Sequence, residues 1–483
     1  MFKFTPIIES ELQELIEDKE ILNDLINTYG SPCNIIFPRN MKKNINDFRE
    51  VLKNNNLKSK IFYAHKCNKS LSLVKEAKKN GICIDVASEN ELKDALCSGF
   101  KGESIEATGP KNKDFIILGL QHNITFNIDS FEELESIIFY SNEINKKEKT
   151  NLLIRLKDFY SSEFKIVNKI SRFGISIKSI DTVLQFVLDN IEQINFKGFS
   201  FHIDTAEIKE KIIAIENCIE LFSKCYHIGL NPTVLDIGGG FKDNYIASKK
   251  EWDESISTLK QSISGISNEK LTYNNNNFGI NIQNGVLRGN LNIYEYYNDT
   301  VRAGYLDSIL KTRILKYQNR TIAEILSDNM IELYIEPGKA LLSDVGITIS
   351  KVVYKKECDE STMFVGLDMK KTDILVGEQE LFVDPIIISN SKIESTNKGI
   401  YFIGNLCLEN DLIYKHKVFP EFMPMQDDLA LFVNTAGYFM DFNSSDTIKQ
   451  RIATKVIIVK DKKGFKTYMD DTYNPYLLGD VKI

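Results

Sequence analysis

Residues Gly198–Gly240 read GFSFHIDTAEIKEKIIAIENCIELFSKCYHIGLNPTVLDIGGG. The aromatic and apolar run Gly198–Ile203 predicts a strand. Glu207–His227 then carries apolar residues at helical spacing. Thr233–Ile237 predicts a second strand, which ends on three glycines. Strand, helix and strand in that order make one parallel βα unit.

The same alternation extends outward. Strands are predicted at Lys60–Ala64, Ile82–Val86, Ile124–Ile128 and Asn151–Leu156. Helices fall at Ser70–Lys79, Glu89–Ser98, Ser130–Ile137 and Ile180–Asn190. Units repeated at this spacing favour an α/β fold closed as a (β/α)8 barrel. Upstream, Glu9 to Tyr29 reads as one helix and Cys33–Phe37 as a strand. Residues 242–330 break the rhythm with an asparagine run at Asn274–Asn277 and tyrosines at 294, 296 and 297. This stretch reads as an insertion whose Tyr294, Tyr296 and Tyr297 wall a substrate pocket. The barrel pattern resumes at Ile331–Ile335. Beyond it, runs at Ile347–Tyr354, Met363–Leu367, Ile400–Gly404, Leu429–Val433 and Thr454–Val459 predict a β-domain over 341–483.

Bulk properties narrow the functional classes. At 483 residues, 43% hydrophobic and 26% charged, the chain reads as a globular protein of more than one domain. A net charge of −7 with no basic stripe argues against a nucleic-acid partner. Eight cysteines with no C-x-x-C pair suit a reducing cytoplasm and predict no metal site. The acidic N-terminus lacks a signal-peptide core, and no apolar run approaches ~18 residues, so no membrane association is expected.

Several short segments carry candidate chemistry, and each also has a plain structural reading. Lys66, in Tyr63-Ala64-His65-Lys66-Cys67-Asn68, follows a strand end, where a lysine can lose solvation and form a Schiff base. It is also one of sixty Lys and Arg residues. Gly238, Gly239 and Gly240 let a backbone approach a phosphate, or simply make a turn. His202 offers a flat ring, or is a satisfied core histidine. Glu336, before Pro337, Gly338 and Lys339, is costly at a buried strand end unless paired. A protonated pyridine nitrogen is one partner that accounts for it. Cys407 and Tyr438 are equally compatible with packing.

In this order along the chain, the segments resemble the fold-type III pyridoxal-phosphate-dependent decarboxylases, the group of ornithine and diaminopimelate decarboxylases. The resemblance runs from about residue 30 to 460, apart from 242–330. It implies a pyridoxal-phosphate-binding barrel over 45–340 and a β-domain completed by residues 1–44, working as a homodimer. Lys66 resembles the Schiff-base lysine, and His202 the histidine stacked on the cofactor ring. Gly238–Gly240 resembles the phosphate loop and Glu336 the pyridine-nitrogen partner. Tyr438, Gly338 and Lys339 resemble further cofactor contacts, and Thr205 the usual serine. Asp85 and Glu91 match an Asp-x-Ala-Ser-x-x-Glu motif, and Arg155 and Arg172-Phe173-Gly174 match positions near the active site. Cys407 and Asp411 resemble residues contributed across the dimer interface.

The implied activity is decarboxylation of an α-amino acid or an amino-acid conjugate, through a Lys66 Schiff base and a quinonoid. Cys407 or Lys66 then returns the proton. Three departures bear on substrate. Lys339 stands where arginine is usual, Asp204 where glycine is usual, and Leu408 where relatives carry an acid for a distal amine. Glu409 is the alternative acid. The long stretch between Gly240 and Glu336, with Asn434–Met440, looks more like the siderophore and specialised-metabolite branch. The rivals are a racemase on the same barrel, which the acid at 336 argues against, and a non-catalytic cofactor-binding homologue.

Overall fold

A computed structural model of the chain describes residues 2–161, 171–204, 207–283, 286–376, 380–389, 394–462 and 464–478. Eight parallel strands close a barrel. Ser59–Ala64 pairs with Cys83–Val86, and the ring continues through Ile105–Ala107, Thr125–Ile128, Thr150–Lys157, Ile194–Ser200, Val234–Asp236 and Glu332–Ile335 back to the first. Pairing of Thr125–Ile128 with Thr150–Lys157 completes the ring.

The period-two alternation of a strand sets what the barrel encloses. Phe62, Leu153, Val234 and Tyr334 pack together as an inner apolar cluster. Two positions along three of those strands stand Arg155, Asp236 and Glu336, so the next layer on the same face is polar. Outward-facing Ile84, Val86, Phe126, Leu152, Phe199 and Leu235 pack against the helices in the larger core. Helices Glu89–Cys97, Lys113–Gln121 and Phe131–Glu143 start on Ser88, Asn112 and Ser130, whose side chains accept backbone N–H groups. Each such cap stabilises a helix start by about 1 kcal/mol and turns the chain sharply at the strands' carboxyl ends.

The second sheet gathers both chain ends. Cys33–Ile36 lies antiparallel to Gly346–Asp359 and parallel to Thr454–Asp461. Leu429–Phe432, Ile386–Ile388 and Gly464–Met469 extend it, and Thr362–Leu367 bridges Gly346–Asp359 to Gly399–Ile403. Its aromatic core includes Phe4, Phe382, Tyr414 and Phe432.

The structure corrects the sequence reading in several places. The helix read over Glu9–Tyr29 is two, Ser10–Glu17 and Lys19–Tyr29, because the Asp18 side chain caps the second. The strand read over Gly198–Ile203 spans Ile194–Ser200, so His202 lies beyond its end. The short strand Ile105–Ala107 and the helix after it were not read. The stretch 242–330 is divided between the two cores. Tyr245, Ile246, Leu259 and Tyr296 join the second core, whereas Leu306, Ile309, Ile322 and Leu326, from helices Arg302–Leu310 and Ile322–Asp328, join the barrel core. No described helix is long and apolar enough to cross a membrane.

Candidate active site

Every barrel strand delivers a polar side chain to one end of the barrel. Lys66 sits in the short turn His65–Cys67 directly after Ala64. Asp85 and Asn127 stand within the second and fourth strands, and Thr108 follows the third. Arg155 comes from the fifth, His202 follows the sixth, Asp236 ends the seventh, and Glu336 follows the eighth.

Two connected hollows open there. The smaller is lined by Lys66, Thr108, Asn127, Arg155, Phe201, His202 and Glu336. The larger, about 420 Å³, shares Lys66, His202 and Glu336 and runs outward past Gly239, Gly240, Gly338, Lys339 and Tyr438. That volume suits a small molecule.

Charge is concentrated on the floor. Lys66 Nζ stands 3.9 Å from Asp85 Oδ2. Burial opposes the Lys66 charge, but the carboxyls of Asp85 and Glu336 outweigh it and hold the ammonium above its ordinary range. Carboxyl oxygens of Glu106, Asp236 and Glu336 all lie within 4.8 Å of one another. Burial first, then mutual repulsion, pushes all three well up. Three buried carboxylates cannot all stay charged at that spacing, so the cluster stores protons beside the cavity. One cation also fits that spacing, although the sequence predicts no metal.

His202 is the neutral counterpart. Burial and then the charges of Lys66, Lys211 and Arg155 lower it well below the usual histidine range. Its Nδ1 accepts the Gly239 N–H at 3.2 Å, which leaves the proton on Nε2. His202 is exposed where its ring opens onto both hollows.

The glycine loop is tightly constrained. At Gly238 (φ +65°) a Cβ would meet the Phe201 carbonyl at 2.6 Å, and at Gly240 (φ +72°) the Ile203 carbonyl at 2.7 Å. The loop therefore packs against the segment carrying His202 and leaves backbone, not side chains, on the cavity wall. Across from it, Lys339 Nζ rests 3.2 Å from the centroid of the Tyr294 ring, and burial lowers it to about 8. Tyr438 adopts φ +75°. Its N–H donates to the Cys67 carbonyl at 2.8 Å and its hydroxyl hydrogen-bonds the Cys67 thiol. Gly338 admits that contact, since a Cβ there would sit 2.0 Å from Cys67 Sγ.

Other residues singled out in the sequence take supporting places. Glu91 Oε2 accepts the Ala87 N–H at 2.7 Å, and Ser88 caps the same helix, so this motif turns the chain just after Asp85. Arg155 lies 3.8 Å from Asp129 and, with Arg172, flanks the Phe173 ring. Thr205 lies outside the described residues. Tyr294 lines the larger hollow, but Tyr296 is fully buried and donates to the Glu380 carbonyl, and Tyr297 lines neither hollow.

Cys407, Leu408 and Glu409 are exposed and reach neither hollow of their own chain. Asp411 is buried, and its two oxygens accept the backbone N–H groups of Lys371 and Leu406. Glu106, Asp236, Asn127 and Lys211 were missed by the sequence reading. Only Lys211 left a local signal, a lysine on an otherwise buried helical stripe.

These residues fit pyridoxal phosphate on donor chemistry alone: an amine at Lys66, a neutral ring at His202, a proton-holding acid at Glu336, and a glycine loop with Lys339 for an anion. Residues 39–274 match the model of the pyridoxal-dependent decarboxylases, pyridoxal binding domain. The chain is 25% identical to the uncharacterized protein y4yA of Sinorhizobium fredii, covering 97% of this chain and 96% of that protein. It is 24% identical to diaminopimelate decarboxylase of Staphylococcus aureus, covering 97% and 98%. Among solved structures, M. jannaschii diaminopimelate decarboxylase in complex with L-lysine superposes with a TM-score of 0.69 at 20% identity, covering 98% and 99%. The lysine/ornithine decarboxylase of Vibrio vulnificus gives 0.64 at 17%, covering 93% and 99%. Residues 39–274 thus match the pyridoxal-binding domain of the pyridoxal-dependent decarboxylases, and the chain as a whole shares the fold of these enzymes.

Proposed function

We propose that this chain decarboxylates an amino-acid moiety larger than a free diamino acid, using Lys66 as the covalent anchor of the cofactor. The carrying observation is that Lys66, His202 and Glu336 share both hollows, while the glycine loop, Lys339 and Tyr438 line the outer one. Pyridoxal phosphate supplies the sink for the electron pair that carbon dioxide leaves behind. His202, neutral and flat, would hold the cofactor's ring from the wall that both hollows share. Glu336, which holds a proton among its acidic neighbours, would pass it to the ring nitrogen and, as the carboxylate left behind, would favour that nitrogen's charged form. Lys66 or Cys407 returns a proton to the substrate carbon.

Substrate size is supported by the outer hollow. Val376, Phe439, Phe442 and Tyr294 give it apolar walls, and Leu408 replaces an acid that would hold a distal amine. A substrate such as the lysine named with the M. jannaschii enzyme would find no carboxylate at position 408. Cys407 is proposed to complete the site of a second copy, since it is exposed and away from its own hollow, with Asp411 holding its loop in place. An enzyme of this kind suits a specialised-metabolite branch.

Glu336→Gln tests the reading. The variant is expected to keep cofactor and lose roughly 10²-fold or more in carbon dioxide release. Near-normal decarboxylation removes the role given to Glu336 and reopens the racemase alternative, checked by loss of optical activity in a panel of amino acids and conjugates.

A further inference from the structure

We infer that Lys211 is a positioning residue for the cofactor's phosphate, acting from behind the glycine loop. It fixes one backbone amide toward the anion and places a buried positive charge beneath it. The inference rests on the pyridoxal phosphate reading above.

Lys211 belongs to helix Ile208–His227, on the face that buries Ala214, Ile215 and Cys218. A lysine is rarely fully buried unless its charge is answered, yet this one is 1% exposed. Its Nζ donates to the Gly239 carbonyl at 2.5 Å and to the Ile237 carbonyl at 3.3 Å. It also lies 5.4 Å from the centroid of the Phe241 ring. Lys211 lines neither hollow, whereas Gly239 and Gly240 line the larger one.

In a planar trans peptide the carbonyl and the following N–H point in opposite directions. Drawing the Gly239 carbonyl toward the helix therefore turns the Gly240 N–H toward the cavity. The other loop amides are engaged elsewhere. Gly238 N–H donates to Asp236 Oδ1 at 2.7 Å, and Gly239 N–H to His202. Gly240 N–H has no protein acceptor among the described residues. It is the amide left for an anion.

The charge of Lys211 has the same orientation. Asp204, Asp236 and Glu336 face it, but burial prevails and lowers it to about 8. Asp236 and Glu336 are themselves raised by burial and by acidic neighbours, so they answer little of the charge. A phosphate dianion on the far face of a thin glycine loop, with no side chain between, supplies the counter-charge. Replacing the loop's support with a neutral side chain would keep the packing and lose this attraction.

The test compares two ligands that differ only by the phosphate. Dissociation constants for pyridoxal phosphate and for pyridoxal are measured spectroscopically on the full chain and on Lys211→Met, which preserves length without charge. Lys211→Met is expected to weaken pyridoxal phosphate by roughly 10- to 100-fold and pyridoxal by less than about threefold. Lys211→Arg is expected to restore most of the difference. If Lys211→Met fails to fold, Lys211→Gln carries the same comparison. Equal loss for both ligands would mean a purely structural lysine, and an undiminished preference for the phosphorylated ligand would also overturn the inference. A wild-type chain that takes up neither ligand refutes the cofactor reading itself, which is a separate failure.

Discussion

The barrel floor and the Cys407 loop are built by opposite means. The floor is assembled from eight strand ends, each fixed by its neighbours' hydrogen bonds, and its carboxyls are almost fully enclosed; Glu336 is 4% exposed. The Cys407 loop is a single segment held by the Asp411 carboxylate, and its tip faces solvent, with Leu408 50% exposed. The floor gathers within one chain the groups proposed to hold and polarise the cofactor. The loop has a thiol at Cys407 and an acid at Glu409 that reach neither hollow of their own chain. Cofactor binding and substrate recognition are therefore separable here, and mutations at the two places should fail differently.

The largest difference is expected at Lys66. Lys66→Ala removes the only amine among the described residues that lines both hollows, and should reduce carbon dioxide release by roughly 10³-fold or more. It should also abolish the long-wavelength absorbance band that borohydride fixes on the Lys66 peptide. A band that persists, or a label on another lysine, reassigns the anchor.

Cys407→Ala should lose roughly 10²-fold in turnover while that band stays intact. Mixing the two inactive variants should regenerate up to about one quarter of the sites if subunits exchange at random. Demonstrated exchange without recovery would place Cys407 outside any site and collapse the contrast.

The floor should also show its lysines in a pH profile. Lys339 sits among Asp204, Asp243, Cys67, Tyr245 and Tyr294, and burial lowers it to about 8. Its protonated form is the one that attracts an anion. Inorganic phosphate competing with the cofactor should therefore bind best below pH 8 and weaken by up to about tenfold per unit above it. Lys339→Met should flatten that fall, and an unchanged profile would free the anion site from this lysine.

The smallest effect is expected at the loop's anchor. Asp411→Asn removes a charge-assisted acceptor from one of two backbone N–H groups. It should cost about 1–2 kcal/mol of stability, read as a few degrees in Tm, with cofactor uptake unchanged. A loss of substrate affinity at unchanged Tm would instead put Asp411 in contact with substrate.

Much of the floor was legible because its residues sit in strong local patterns. Lys66, the triple glycine and Glu336 each follow an apolar run, and a strand end is a place sequence can mark. The acid cluster was not legible, because Glu106, Asp236 and Glu336 meet only when three distant strands close the barrel. Ile105–Ala107 was invisible for a related reason: three residues with a glutamate in the middle carry no periodic signal. Tyr294 and Tyr296 show the limit in irregular backbone. Without a repeating geometry, nothing local says that one ring reaches the cavity and the other the β-domain core. Lys211 was legible in principle, since a lysine in register with Ala214, Ile215 and Cys218 breaks a buried stripe.

The strand Cys33–Ile36 has a consequence for how the molecule comes to be made. It lies between Gly346–Asp359 and Thr454–Asp461. During synthesis it leaves the ribosome first, yet both partners follow the entire barrel. The barrel can close on contacts between neighbouring segments while this strand waits with unpaired edges. The β-domain sheet thus cannot be completed until Thr454–Asp461 has been made. A chain truncated before residue 454 would leave that early strand without its parallel neighbour, open to pairing with another nascent copy, and would also strip Tyr473 from the barrel core and Asp470 from the start of helix Leu71–Lys79.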